Sequence, residues 1–325
     1  MHRREFIGGV LTALAAPLVA EAQQTGRVYR LGFLGLATAG QFAREIDGMR
    51  QGLRELGYIE GQNLNIECRW AEGKYERLYD LAAELVGLKV DVLVTHSTPG
   101  ARAVKQATST IPIVMAIVGN PDETGLIQSI ARPGGNVTGT SFFMTELNAK
   151  RLQILKDAIP PLARLAVLTN PNNSAHTSSL TAMKDMAHRL RLNVYIVEAR
   201  KREDLKVAIQ TAKTRAEALA VIEDRLFISN AQTIADLASQ HRLPTIGFSE
   251  LADAGGLFAY GVNFPETFRQ SMALVDKILR GGIDAGSLPI IQASRFELVI
   301  NLKTAKALGL TIPPSLLARA DQVIE

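Results

Sequence analysis

The sequence predicts an α/β protein built as two doubly wound parallel-sheet lobes. Apolar runs of strand length alternate with amphipathic helical segments from residue 28 onward. The alternation restarts after a connecting helix near residue 150, and the chain's 325 residues are enough for two cores.

The first strand is "VYRLGFLGL". In the following "FAREIDGMRQGLRELG", Phe42, Ile46, Met49, Leu53 and Leu56 recur at helical spacing, and Gly57 suits a C-terminal cap. "NLNIECRW", a helix over 75–86, "VDVLVT", a helix from Pro99, "IPIVMAIV", a short helix over 124–131 and "NVTGT" continue the pattern. Apolar runs separated by helices imply parallel strands buried on both faces. "MTELNAKRLQILKDAIP" reads as the connecting helix, after which "RLAVLTN", "LNVYIVEA", "ALAVIED" and "LPTIGF" each lie beside a helical segment. "GGLFAYGVNF" is a strand leading into "PETFRQSMALVDKILRGG", a helix with Pro265 in its first turn and Gly281-Gly282 at its end. A last strand and helix, "FELVIN" and "LKTAKALGL", stop before Pro313-Pro314. No internal sequence repeat relates the lobes.

Apolar residues make up 47% and charged residues 21%, the composition of a globular chain. The formal charge of +4 is spread through interspersed Lys, Arg, Asp and Glu. A nucleic-acid binder would gather its basic residues in a stripe, so no nucleic-acid partner is expected. "MHRREF", the short apolar "IGGVLTALAAPLVA" and the small-x-small Ala20-Glu21-Ala22 read as a secretory signal peptide over 1–22. Arg3-Arg4 followed by Phe6 also fits a twin-arginine signal, so both that route and Sec stay open. No Cys follows the cleavage point, which argues against a lipid anchor, and nothing later approaches the ~20 apolar residues of a membrane span. The mature chain is expected in the periplasm. Its single cysteine, Cys68, leaves no internal disulfide.

Catalytic motifs fail in turn. Gly32, Gly35 and Gly40 miss the dinucleotide spacing, no phosphate loop is present, and "GFSEL" around Ser249 lacks the second glycine of a nucleophile elbow. His2, His96, His176, His188 and His241 have neither i, i+4 pairing nor Cys companions, so no metal site is expected. Glu223 and Asp224 are adjacent at a strand end and point to opposite faces, so they do not converge as an acid/base pair. The reading is a protein that is not an enzyme and needs no cofactor.

Open α/β sheets bind ligands beyond the carboxyl ends of their strands. Polar residues collect there: Thr38, Ser97, Thr98 and Asn120 in the first lobe, and Asn170, Asn172, Ser174, Asp224, Ser249 and Glu250 in the second. Tyr260 and Asn263 close the strand that follows. Two such rims could face each other across a cleft. Ser97 or Thr98 caps the helix that starts at Pro99, leaving N–H groups and the helix dipole free for a carboxylate. The same residues also fit an ordinary helix cap without a ligand. His96 reads as a packed histidine, and Phe142-Phe143 as core or as a cleft wall.

"QGLRELGYIEGQNLNIECRWAEG", "ATSTIPIVMAIVGNPDETGLIQSIARPGGNVTG" and "FELVINLKTAKALGLTIPPSLLARADQVIE" resemble the bacterial ABC-transporter substrate-binding proteins, of the group related to tryptophan- and tyrosine-binding proteins. The resemblance runs the length of the mature chain. It implies the type I periplasmic-binding-protein fold, with a three-segment hinge crossing near 143–150, 248–257 and 289–296. The lobes then comprise 23–143 with 257–290, and 144–256 with 291–325. It also implies ligand contacts at Thr98-Pro99, Asn120-Pro121, Asn170, Asn172, Ser174 and Asp224, the acidic group suiting a ligand amine. Where that family often carries "GDP", this chain has "GNP" with Asn120, a neutral amide that weakens the case for a cationic ligand end. The implied function is that of a monomeric importer component closing on a small, carboxylate-bearing molecule such as an amino acid or aromatic acid, with a membrane permease and its ATPase as partners. A sensor subunit presenting ligand to a membrane receptor is the alternative. A DNA-binding repressor of this fold is set aside because an export signal stands where its DNA-binding segment would be.

Overall fold

The structure, a computed structural model, describes residues 27–325. The signal peptide expected over 1–22 lies outside the described residues. In chain order the first part contains β1 (Tyr29–Gly35), α1 (Ala43–Glu55), β2 (Leu64–Trp70), α2 (Arg77–Gly87), β3 (Val92–His96), α3 (Thr98–Ala107), β4 (Ile113–Val118) and β5 (Val137–Ser141). The second contains α4 (Met144–Ala158), β6 (Arg164–Thr169), α5 (His176–Arg189), β7 (Asn193–Glu198), α6 (Leu205–Arg215), β8 (Ala218–Val221), α7 (Arg225–Ser229), α8 (Ala231–Gln240), β9 (Thr245–Gly247), α9 (Ser249–Asp253) and β10 (Phe258–Gly261). The chain ends with α10 (Phe264–Leu279), β11 (Ile291–Gln292), β12 (Glu297–Asn301), α11 (Leu302–Leu308), α12 (Pro314–Leu317) and β13 (Gln322–Ile324).

These strands form a six-stranded sheet in the order β11-β5-β4-β3-β1-β2 and a seven-stranded sheet in the order β13-β12-β10-β9-β8-β6-β7. The expected two α/β lobes are present. In the first, Val92 and Val94 of β3 face one layer of helices while Leu93 faces the other, and all three are fully buried. Burial on both faces is what selects continuous apolar strands.

Sheet membership moves one hinge segment from where the sequence suggested it. β10 belongs to the second sheet, so the chain returns to the first lobe at Val262 and Asn263, after β10 instead of over 248–257. The other crossings fall at Phe142-Phe143, between β5 and α4, and between β11 and β12. The second sheet is also not wholly parallel, because β12 runs antiparallel to β10 with Gly261 opposite Glu297. The chain leaves β10 and enters β12 at the same hinge-side end, which forces opposite directions. The helix expected over 124–131 is a series of turns. Gly125 has φ +70°, and Leu126 N–H bonds Pro121 O, a local closure that cannot propagate as a helix.

One close helix contact shapes the site. A Cβ on Gly48 or Gly52 of α1 would lie 2.3 Å from the carbonyl oxygen of Pro265 or Arg269 on α10. Only glycine permits that approach. It draws the first turns of α10, carrying Phe264 and Phe268, against Phe42 at the head of α1, where the Phe42 and Phe268 rings meet edge-on with centroids 5.5 Å apart.

Candidate ligand-binding cleft

The carboxyl ends of β3 and β4 and the segment after β8 face a shared cavity with about 490 Å³ of unfilled space, part of it open to solvent. Its apolar side is built mainly by the first lobe and the hinge: Phe42, Ile117, Phe142, Phe264 and Phe268. Phe142 and Phe264, each beside a crossing, pack edge-on at 5.9 Å. Aromatic faces at this density suit an apolar or aromatic guest.

On one polar side stands the N-terminus of α3. Ser97 caps it, its Oγ accepting from Gly100 N–H at 3.4 Å, and Pro99 occupies the first turn. Ser97 has φ +62° and ψ 155°, a region that is essentially glycine's, and its N–H is anchored to Ile117 O at 2.9 Å. Backbone strain of this kind collects at functional sites. The first-turn N–H groups of α3 have no intrahelical acceptors, and together with the helix dipole they favour an anion.

Across from it, Asp224 caps α7 and is almost fully enclosed. Its Oδ1 accepts from Tyr75 O–H at 2.8 Å, Leu226 N–H at 3.0 Å and Asn170 Nδ2 at 3.1 Å; its Oδ2 accepts from Asn173 Nδ2 at 3.0 Å. All of these donors are neutral. His176 lies 3.7 Å from Oδ2, but burial pushes its pKa down against the opposing pull of Asp224. His176 Nδ1 accepts from Asn170 N–H at 3.1 Å, so the ring is a neutral Nε2–H tautomer aimed at Glu223 O, 3.0 Å away. Burial, and then Asp224, hold the Tyr75 hydroxyl well above its usual pKa, so it stays a donor. Asp224 is thus a buried carboxylate with hydrogen bonds but no cation among the described residues.

Its neighbours are compensated. Glu223 is paired with the fully buried Arg151 of α4 and accepts from Asn148 Nδ2 at 3.2 Å. Arg225 reaches the first lobe, where its Nη1 lies 2.7 Å from Glu45 Oε1 and its guanidinium stacks over Phe42 at 4.0 Å. The two carboxylates of the Glu223-Asp224 pair are therefore held by separate partners, as their position at a strand end implies.

The residues singled out from sequence divide by place. Ser97, Thr98 and Asp224 line the cavity, and Asn170 holds Asp224. Thr38 and Asn172 do not line it; with Gln41 and Tyr75 they line a separate, solvent-open cavity. Ser174 accepts from Arg102 of the opposite lobe at 3.2 Å. Asn120 accepts from Thr145 N–H at 3.1 Å, tying the loop after β4 to α4. Ser249 and Glu250 begin α9, and Ser249 Oγ and Glu250 Oε2 are buried without partners among the described residues. Asn263 caps α10. Tyr260 does not reach the cavity: its ring stacks on Phe296 at 6.0 Å, beside Phe143 on the hinge. Strand alternation turns it away from the cleft. The sequence reading passed over Phe42, Glu45, Tyr75, Arg225, Phe264 and Phe268; the adjacent charges of Asp224-Arg225 amid apolar neighbours were the available sign.

No helix among the described residues is long and apolar enough to cross a membrane, and no group of His, Cys, Asp and Glu among them is placed to hold a metal ion. The family described as ABC transporter substrate binding protein matches residues 40–324. The chain belongs to that family. Among its relatives, the tyrosine-binding protein of Clostridioides difficile (strain R20291) is 27% identical over 264 residues, covering 81% of this chain and 76% of that protein. A conserved domain protein from Vibrio cholerae shares the fold at a TM-score of 0.87 and 28% identity, over 91% of this chain and 100% of that one. An ABC domain from Streptococcus pneumonia, solved in complex with L-Trp, gives a TM-score of 0.85 at 24% identity, over 91% of this chain and 99% of that one. The cavity described above lies between the two lobes of that shared fold.

Proposed function

We propose that this substrate-binding protein holds a free α-amino acid with an apolar or aromatic side chain between its lobes and delivers it to the permease and ATPase of an importer. The observation that carries the reading is Asp224, a buried carboxylate satisfied by neutral donors alone, set opposite the N-terminus of α3. A zwitterion completes both ends: its ammonium supplies the missing cation at Asp224, and its carboxylate takes the Thr98 N–H at the head of α3, beside the Gly100 N–H that Ser97 Oγ holds only at 3.4 Å. The apolar side chain then lies among Phe42, Phe142, Phe264 and Phe268. An acid without an amine leaves Asp224 uncompensated in a closed site, which is costly.

The names of the relatives, a tyrosine-binding protein and a domain bound to L-Trp, agree with this assignment. Binding involves no bond-making step. Closure shifts the population toward the shape that a permease recognises, and the expected signal peptide places the mature chain in the periplasm. Calorimetry of residues 23–325 against L-amino acids and their deaminated analogues tests the reading. Amino acids are expected to bind and their amine-free counterparts to bind far more weakly; equal affinities for the two series would refute it.

A further inference from the structure

His96 ends β3 inside the aromatic wall of the cleft, its ring 4.3 Å from that of Phe42 and 6.2 Å from that of Phe268. It is 4% exposed and lines the cavity. The one hydrogen bond the ring makes among the described residues is at Nε2, which accepts from Leu36 N–H at 3.2 Å. Burial, and then the nearby charge of Arg225, push its pKa well below the usual histidine range, so the ring is neutral. A neutral imidazole has one donor and one acceptor. With Nε2 accepting, Nδ1 carries the proton, and it has no acceptor among the described residues.

A second donor stands close by. Arg225 Nε is buried without a partner among the described residues, while the charge of Arg225 is matched by Glu45 and its guanidinium packs on the Phe42 ring. Because that charge is already balanced, this end of the cleft calls for a neutral acceptor in preference to a second anion.

We propose that His96 Nδ1–H is the residue that selects the ligand's side chain, favouring an aromatic ring that bears a hydrogen-bond acceptor, such as a phenol, over a plain phenyl or an indole. This rests on the reading of the cleft as an amino-acid site, which leaves the side chain among these aromatic residues. A phenol oxygen accepts, a phenyl ring offers no acceptor atom, and an indole N–H only donates, so the latter two leave Nδ1–H unsatisfied in a closed site. A site built to hydrogen-bond a hydroxyl rejects analogues lacking it more strongly than it senses a methylene.

The test is calorimetry with L-tyrosine, L-phenylalanine and L-tryptophan, and with p-hydroxyphenylacetate and phenylacetate, on the wild type and His96→Leu. Tyrosine is expected to bind about tenfold or more tighter than phenylalanine or tryptophan. The hydroxylated acid should show the same preference over phenylacetate, and His96→Leu should abolish both preferences. Equal binding of the hydroxylated and plain ligands by the wild type, or a preference that survives His96→Leu, overturns the proposal. The amine-free pair decides it even if the ammonium reading of Asp224 fails, whereas binding of none of these probes sinks both. Because His96→Leu strands Leu36 N–H, imidazole nitrogen spectra of the wild type give a second measure. An Nδ1–H tautomer whose proton shifts on adding tyrosine supports the assignment; an Nε2–H tautomer refutes it and would instead favour indole.

Discussion

Arg225 and Glu45 meet across the cleft, one from each lobe, with Nη1 and Oε1 2.7 Å apart and each side chain 6% exposed. Arg225 also donates to Gln41 O, and it directly follows Asp224 in the chain. The ligand's proposed amine seat and the main charged contact between lobes are thus neighbouring residues, so a ligand that draws Asp224 toward the first lobe brings Arg225 with it.

Separating the lobes returns both charges to water, so the cost of breaking the pair falls on the closed form. Leaving one member buried alone is strongly destabilising, whereas removing both is not. Glu45→Gln and Arg225→Gln are each expected to weaken ligand by at least about tenfold, roughly 1.4 kcal/mol or more. The double variant should recover much of that loss, and the melting temperature of the ligand-free protein should change little. Additive losses in a double-mutant cycle by calorimetry would mean the pair does not act as a unit.

Asp224→Asn keeps an acceptor for Leu226 N–H, and with it the cap of α7, but removes the charge. A charge-assisted hydrogen bond contributes on the order of 1.5 to 3 kcal/mol. Amine-bearing ligands should therefore lose about tenfold to more than a hundredfold in affinity, while amine-free acids, relieved of the uncompensated charge, should bind as well or better. A uniform loss across both ligand classes, measured by titration calorimetry, would assign Asp224 to holding Tyr75, Asn170 and Asn173 in place.

The sequence made the strand ends legible, and with them Ser97, Thr98 and Asp224, because an abrupt polar residue after a buried strand is a local signal. It did not reveal Phe42, Phe264 or Phe268 as cleft residues. Their helical spacing is the same whether they fill a core or line a cavity, and their convergence depends on the glycine contact between α1 and α10. Tyr75 and Glu45 belong to the site only through partners more than a hundred residues away, a relation no local pattern records. The displaced hinge at Val262 has a similar cause: the run "GGLFAYGVNF" reads as a strand, but nothing in it says which of two sheets it joins.

Glu250 supplies a pH dependence. Burial pushes its carboxyl pKa up to about 7, with Glu45 adding to the rise against the pull of Arg225 and Arg44. In the unfolded chain the group titrates near ~4.3, so between these values the folded state binds a proton that the unfolded state has released. This group's contribution to stability therefore falls as pH rises from about 4.3 to 7 and is level beyond. Glu250→Gln stays neutral throughout. Its melting temperature should match that of the wild type near pH 4, exceed it increasingly up to about pH 7 and hold a steady excess beyond, as scanning calorimetry at several pH values would register. A constant offset between the two proteins would show that Glu250 titrates normally.

Ser97 bears a conformation that suits glycine, with φ +62° and ψ 155°, while supplying a long cap contact of 3.4 Å to Gly100. Strain in this region costs on the order of 1 to 3 kcal/mol, and replacing a serine cap by glycine costs only a few tenths. Glycine's extra backbone freedom when unfolded takes back roughly 0.5 to 1 kcal/mol. Ser97→Gly is therefore expected to raise stability by about 1 kcal/mol, whereas Ser97→Ala keeps the strain, loses the cap and lowers it by about 1 kcal/mol. Opposite signs in denaturant unfolding would establish stored strain at the head of α3. If both variants are destabilised alike, the hydroxyl matters to the fold and the backbone there is relaxed; if Ser97→Gly also weakens ligand, the serine is retained for binding at a cost in stability.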